Sequence, residues 1–123
     1  MALVSASPRL LVDSAIELLP ISTFVTSVSS QDVTVSKPNP ESYLKAALHL
    51  GVDIRRCVVL EDSKTGIDAG LASGGVVIGI PHIITYPPTS RLHLRRDLVG
   101  LTTSDIQEIF SHENQEGPDA TRV

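Results

Sequence analysis

Apolar residues recur along this chain in two rhythms that alternate, short continuous runs and longer stretches at helical spacing. Ala2-Leu3-Val4 is a short run ending in Ser5-Ala6-Ser7-Pro8, where Ser7 is suited to cap a helix and Pro8 to take its first position. Leu10, Leu11, Ile16, Leu18 and Leu19 then return at roughly helical spacing until Pro20 stops them. Thr23 to Val28 is β-branched and apolar and predicts a second strand, followed by a Ser29-Ser30-Gln31-Asp32 loop. Pro38 and Pro40 keep Lys37-Pro38-Asn39-Pro40 out of any helix interior, so Lys37 sits on a stiff loop. Asn39 as cap, Pro40 in the first turn and Glu41 near the positive end open a helix with Tyr43, Leu44, Ala47 and Leu48 on one face, and Gly51 closes it.

Asp53 is placed to cap a single turn, after which Cys57 to Leu60 reads as a buried strand ending in Glu61-Asp62-Ser63. Ser63 can cap the next helix, whose Gly66, Ala69, Gly70 and Ala72 allow close approach to a sheet. Gly74-Gly75 ends it and Val76 to Ile80 forms another strand. The order β-α-β-α-β-α-β implies a mainly parallel sheet with right-handed crossovers, a three-layer α/β/α arrangement. Beyond Pro81 the pattern weakens into a loop with Pro87-Pro88, a basic stretch, a short helix from Ser104 to Phe110 and a polar tail. The expected organisation is one partial core domain over residues 1–110 and a disordered tail over 111–123.

Composition narrows this picture. With 123 residues, 41% apolar and 20% charged, the chain fits one domain; two Tyr, two Phe and no Trp leave its core to aliphatic residues, as in a parallel sheet covered by helices. A formal charge of −4 offers no basic footprint for nucleic acid or anionic lipid. Cys57 is the single cysteine, which excludes an internal disulfide and a cysteine-based zinc site and suggests a small buried hydrophobe. No apolar run approaches the roughly 18 residues of a membrane span, and no basic region leads into a signal-peptide core, so the cytoplasm is the expected compartment.

In open parallel sheets ligands gather outside the carboxyl ends of the strands. Three such ends present polar groups: Ser5, the Lys37 loop and Glu61-Asp62. A hydroxyl, a cation and two hard carboxylates are what a phosphate with bound magnesium requires. Taken singly, each has a more ordinary reading: Lys37 a solvated lysine, Ser5 a turn residue, the acids a helix start favoured by the dipole. Adjacent acids straight after a buried strand nevertheless repel each other unless a cation or donor sits nearby. His49, His82, His93 and His112 show no metal-ligand spacing, and Tyr43 and Leu44 read as helix core. Arg91 to Arg96 could clamp an anion, but in an acidic chain it reads first as an exposed face. Serine-hydrolase, P-loop and dinucleotide fingerprints do not occur.

The succession Lys37-Pro38-Asn39-Pro40-Glu41, Leu50-Gly51-Val52, Val58-Val59-Leu60-Glu61-Asp62-Ser63-Lys64-Thr65-Gly66-Ile67-Asp68-Ala69-Gly70 and Ala72-Ser73-Gly74-Gly75-Val76-Val77-Ile78-Gly79-Ile80 resembles the second half of a haloacid dehalogenase (HAD) superfamily hydrolase. It is most similar to the branch of β-phosphoglucomutase and small sugar phosphatases. The resemblance implies a Rossmann-like, HAD-like sheet and a magnesium-dependent activity on small sugar phosphates. It further implies that Ser5, with Ala6 and Ser7 on the same loop, meets the phosphoryl group and substrate. Lys37 would neutralise the phosphoryl oxygens, and Glu61 and Asp62 would help hold magnesium, Asp62 the more directly.

The chain departs from that family at the nucleophile. The family's first motif is Asp-x-Asp, the first acid forming an aspartyl-phosphate and the second acting as general acid and base. The eight aspartates here are Asp13, Asp32, Asp53, Asp62, Asp68, Asp97, Asp105 and Asp119, and none is followed two positions later by an acid. The nucleophile is therefore missing from this sequence, as is the helical cap that selects substrates. In the family's sheet the first-motif strand lies between the strands ending at Ser5 and Leu60, so an incomplete sheet is expected, with a gap about 9.6 Å wide and two unpaired edges. The leading expectation is a C-terminal portion of a HAD-type phosphatase or phosphoglucomutase-like enzyme, from a truncated, split or mis-started frame, inactive alone and able to associate with a complementary fragment. The alternative is a catalytically dead remnant that binds phosphate or a partner protein through the same loops. A receiver-like signalling domain would need an acidic pocket near the first strand, which is lacking.

Overall fold

The computed structural model describes residues 1–20, 22–80, 85–87 and 89–115. Strand β1 (Ala2–Val4) leads into helix α1 (Arg9–Glu17), followed by β2 (Thr26–Val28), α2 (Glu41–Leu50), β3 (Val58–Glu61), α3 (Lys64–Ser73), β4 (Val76–Gly79), β5 (Leu92–Leu94) and α4 (Thr103–Gln115). The expected alternation is present over the first seven elements, and the chain has the α/β fold that the pattern implied.

The strands form two parallel sheets, β1-β2 and β3-β4-β5, with β1 and β3 left unpaired to each other. Val4 lies opposite Val28 in one sheet, and Glu61 opposite Gly79 in the other. Helix α2 packs against both β1 and β2 and also reaches α3, so it straddles the opening between the sheets. Tyr43 of α2, Val59, Ile67, Ala69 and Val77 make up the core cluster, with Val4 packed against it. At Gly70, a Cβ would come within 2.8 Å of Val77 Cγ2, so a side chain there would push α3 off the sheet.

Helix ends follow the sequence in part. Ser63 caps α3 by accepting from the Gly66 amide at 3.1 Å, Asp53 caps a single turn by accepting from Arg55, and Gly51 and Gly74 take left-handed conformations at helix ends. Ser7 does not cap α1; Pro8 holds the cap position without a side-chain bond, and the Ser7 amide donates to Ser5 Oγ. Pro40, not Asn39, is the cap of α2, though Asn39 Oδ1 still accepts from the Glu41 amide at 3.0 Å. The buried face of α2 is Ser42, Tyr43, Ala46 and Ala47, while Leu44 and Leu48 are exposed, a rotation set by the two sheets it has to span.

Two departures lie beyond Pro81. The basic stretch forms an edge strand, β5, fixed by Val77 N donating to Arg91 O at 2.8 Å and Arg95 N donating to Gly79 O at 2.8 Å. Helix α4 begins one residue earlier than expected and continues to Gln115, into the stretch read as a tail. His82, Pro88 and residues 116–123 lie outside the described residues.

Candidate active site

The site is built at the carboxyl ends of β1 and β3, where Lys37 reaches across from its loop. One carboxylate holds that loop. Glu41, in the first turn of α2, accepts from the Thr34 and Val35 amides at 2.8 Å each, which draws its carboxyl below the usual range. The loop is thus clamped onto the helix just before Lys37, a role for Glu41 that helix-dipole reasoning alone did not suggest.

Lys37 Nζ donates to Glu61 Oε1 and to the Tyr43 hydroxyl at 2.9 Å, and lies 3.5 Å from the Val4 carbonyl. It also sits over the Tyr43 ring, 4.7 Å from its centroid. The Tyr43 hydroxyl in turn donates to Glu61 Oε1. Both charged side chains are nearly enclosed, Lys37 at 11% and Glu61 at 9% exposure. Burial, reinforced by the Glu61 hydrogen bond and by the negative charges of Glu61 and Asp62, pushes the Tyr43 phenol well above its ordinary value and keeps it a neutral donor. Tyr43 therefore belongs to the site as well as to the core, correcting its reading as core alone. Gly66 makes this possible from the other side: a Cβ there would overlap the Glu61 carboxylate.

Ser5 extends the β1-β2 ladder through its amide, which donates to Val28 O at 2.9 Å, while its Oγ accepts from the Ser7 amide at 3.1 Å. The hydroxyl thus organises the turn and keeps its own proton available for an outside acceptor. Ala6 is exposed on that turn, and the Ser7 carbonyl accepts from Ser30 at 3.0 Å. Beneath it, Arg9 bonds Asp32 and Ser27, and Asp32 closes a capping box with Ser29. The Ser29 hydroxyl and amide, with Arg9, hold the Asp32 carboxyl far below the usual range.

Asp62 is exposed and its side chain makes no hydrogen bond or ion pair among the described residues. Glu61, by contrast, is engaged by Lys37 and Tyr43. A magnesium shell needs about six oxygen ligands, waters included. Among the described residues no group of three His, Cys, Asp or Glu converges to hold an ion, so these residues do not by themselves fit a magnesium site. Cys57 is half-buried, its thiol pushed up by burial, and its Sγ donates to Asp53 O at 3.3 Å. No described helix is long and apolar enough to cross a membrane.

The fold and this cluster define an α/β protein with a cationic group fixed where parallel strands end. Residues 1–74 match the haloacid dehalogenase-like hydrolase family model, and the chain belongs to that family. Hexitol phosphatase B of Escherichia coli O157:H7 is 35% identical over 108 residues, covering 85% of this chain and 49% of its own length. The bifunctional riboflavin kinase/FMN phosphatase of Arabidopsis thaliana is 37% identical over 84 residues, 68% of this chain and 21% of its own. Among solved structures, CbbY from Rhodobacter sphaeroides in complex with phosphate shares the fold with a TM-score of 0.74 at 22% identity, over 86% of this chain and 50% of that one. β-Phosphoglucomutase from Clostridium difficile gives 0.69 at 24% identity, over 83% and 45%. The hexitol phosphatase and the β-phosphoglucomutase among these matches place the similarity in the sugar-phosphatase branch of the superfamily. The chain spans half or less of the length of each of these relatives.

Proposed function

We propose that this chain supplies the phosphoryl-gripping half of a magnesium-dependent phosphatase or phosphoglucomutase-like enzyme for small sugar phosphates, and that it does not turn over substrate alone. The observation that supports this most is Lys37, held nearly buried across the carboxyl ends of β1 and β3 by Glu61, Tyr43 and Val4. In this reading Lys37 and Ser5 address the phosphoryl oxygens, Ala6 and Ser7 border the substrate, and Glu61 fixes the lysine. Asp62 offers one magnesium ligand, the remaining ligands coming from outside these residues. No nucleophile is assigned within the chain, because no Asp-x-Asp occurs in it. The substrate class rests on the hexitol phosphatases among its relatives.

The local charges support the proposed lack of turnover. Lys37 is paired with Glu61, and the Asp62 carboxylate stands exposed beside them, so a phosphate dianion would meet one cation already shared with a carboxylate and one further negative charge. A chimera tests the grip itself: residues 1–80 of this chain replacing the matched segment of hexitol phosphatase B. A folded chimera should release phosphate, and Lys37→Ala should lower kcat/KM by about a hundredfold or more. A folded chimera with activity indifferent to Lys37 would overturn the assignment.

A further inference from the structure

A second cleft lies at the amino end of β3, roughly 10 Å along the strand from Glu61 and the Lys37 cluster. The Asp53-capped turn builds one wall. Arg56 N donates to Asp53 O and Cys57 N to Ile54 O, each at 2.9 Å, which fixes Arg56 just before the strand. Helix α4 builds the other wall. Its start is locked by reciprocal bonds: the Thr102 amide and hydroxyl donate to Asp105 Oδ2 at 2.7 and 2.8 Å, and the Asp105 amide donates back to Thr102 Oγ1 at 3.2 Å. Ile106, Gln107, Phe110 and Ser111 then fall on one face of the helix, in pairs one turn apart. The space enclosed is about 510 Å³, within the range of small-molecule sites.

The cleft has an apolar floor and a polar rim. Val58, Ile106 and Phe110 are partly buried, whereas Arg56, Gln107 and Ser111 are exposed. The Ser111 hydroxyl is already engaged, donating to Gln107 O at 2.8 Å. The side chains of Arg56 and Gln107 make no hydrogen bond or ion pair among the described residues. Arg56 is the one cation among the lining residues described, and none of them is an acid. Neighbouring carboxylates are committed elsewhere: Asp53 accepts from Arg55 Nη2 at 2.7 Å, Asp105 serves Thr102, and Glu108 lies on another face of α4, 3.9 Å from His112. A single planar guanidinium beside an amide NH2 matches the two oxygens of a carboxylate. A phosphate dianion would keep one charge unbalanced over apolar side chains.

We propose that this cleft is a binding site for a small aromatic carboxylate. Arg56 pairs with the carboxylate through its fork, the Gln107 amide donates to one of its oxygens, and one or two fused rings lie against Val58, Ile106 and Phe110. A rigid ring system suits the space better than an aliphatic chain of equal volume, which would have to freeze several torsions on binding. No residue of the site belongs to the Lys37 cluster, so the assignment holds whether or not the chain takes part in phosphoryl transfer.

The test uses the full 123-residue chain, with 2-naphthoate as the probe and 2-naphthamide as its neutral isostere. An NMR titration should show saturable one-to-one binding of naphthoate with a Kd of about 1 mM or tighter, and the largest shift changes at the Ile106 and Phe110 side chains. Val58 is a poor reporter because it also borders the opening between the two sheets, with Leu3 and Leu50. Naphthamide should bind at least about tenfold more weakly. Arg56→Met alters an exposed position, should leave the circular dichroism unchanged, and should weaken naphthoate by at least about tenfold. Inorganic phosphate in excess should not displace the probe. A smaller difference between the two probes, or a naphthoate affinity indifferent to Arg56→Met, would overturn the proposal. So would shift changes centred on Leu3 and Leu50, displacement by phosphate, or a Kd weaker than that range.

Discussion

Lys37 has three partners, and the neutral side chain among them is the most informative to remove. Tyr43→Phe keeps the ring in the core but deletes a hydroxyl that serves two nearly buried charges. The expected loss is about 1.5–3 kcal/mol in urea unfolding, the range for hydrogen bonds to charged groups. An unchanged midpoint would mean that the hydroxyl does not bridge them. Periodicity put Tyr43 in the helix core correctly but carries no information about where its hydroxyl ends, and that is why this member of the site was not legible. The meeting of Lys37 with Glu61 was legible because strand ends and prolines mark their positions, whereas Asp62 lies outside the Lys37 cluster. Asp32 supplies a pH signature. Its folded carboxyl is depressed by Ser29 and Arg9, so its stabilisation is fully present above the ordinary aspartate value near 3.8 and is lost as pH falls through the folded value. The urea midpoint should fall between about pH 5 and 2, and Asp32→Asn should flatten part of that slope. Equal slopes in both proteins would rule Asp32 out as the source.

Among the elements, those with two independent signals were the most readable. Helix α3 combines the Ser63 cap, small residues and a glycine end, and the structure shows the cap and the glycine end, with Gly66, Ala69 and Gly70 buried but Ala72 exposed. Strand β5 had one weak signal, the pair Leu92 and Leu94, set among arginines that suggested an exposed face. An edge strand can carry such charge because only one of its sides needs a partner. The same reasoning makes β1 and β3 costly, since among the described residues each has one edge without a strand partner, bordered by apolar side chains. Calorimetry of the chain alone should therefore show a broad transition below the roughly 45–65 °C common for mesophilic domains. A sharp cooperative melt within or above that range would show that the open edges are tolerated without loss.

At the scale of the whole molecule, the proposal separates the grip from the chemistry. A fixed cation, a hydroxyl and one free carboxylate sit at the mouth of a divided sheet, while no Asp-x-Asp occurs anywhere in the sequence. The family was legible from ordered motifs, whose spacing survives because each one sits where a strand meets a helix. The division of the sheet followed from the same comparison, since parallel strands that belong two positions apart cannot bond across the missing one. The most direct test is phosphate release from a panel of hexitol and other sugar phosphates by the purified chain with magnesium, beside its Lys37→Ala variant. Release from both proteins should be indistinguishable from the buffer blank; magnesium-dependent release by the parent chain that disappears in Lys37→Ala would contradict the account.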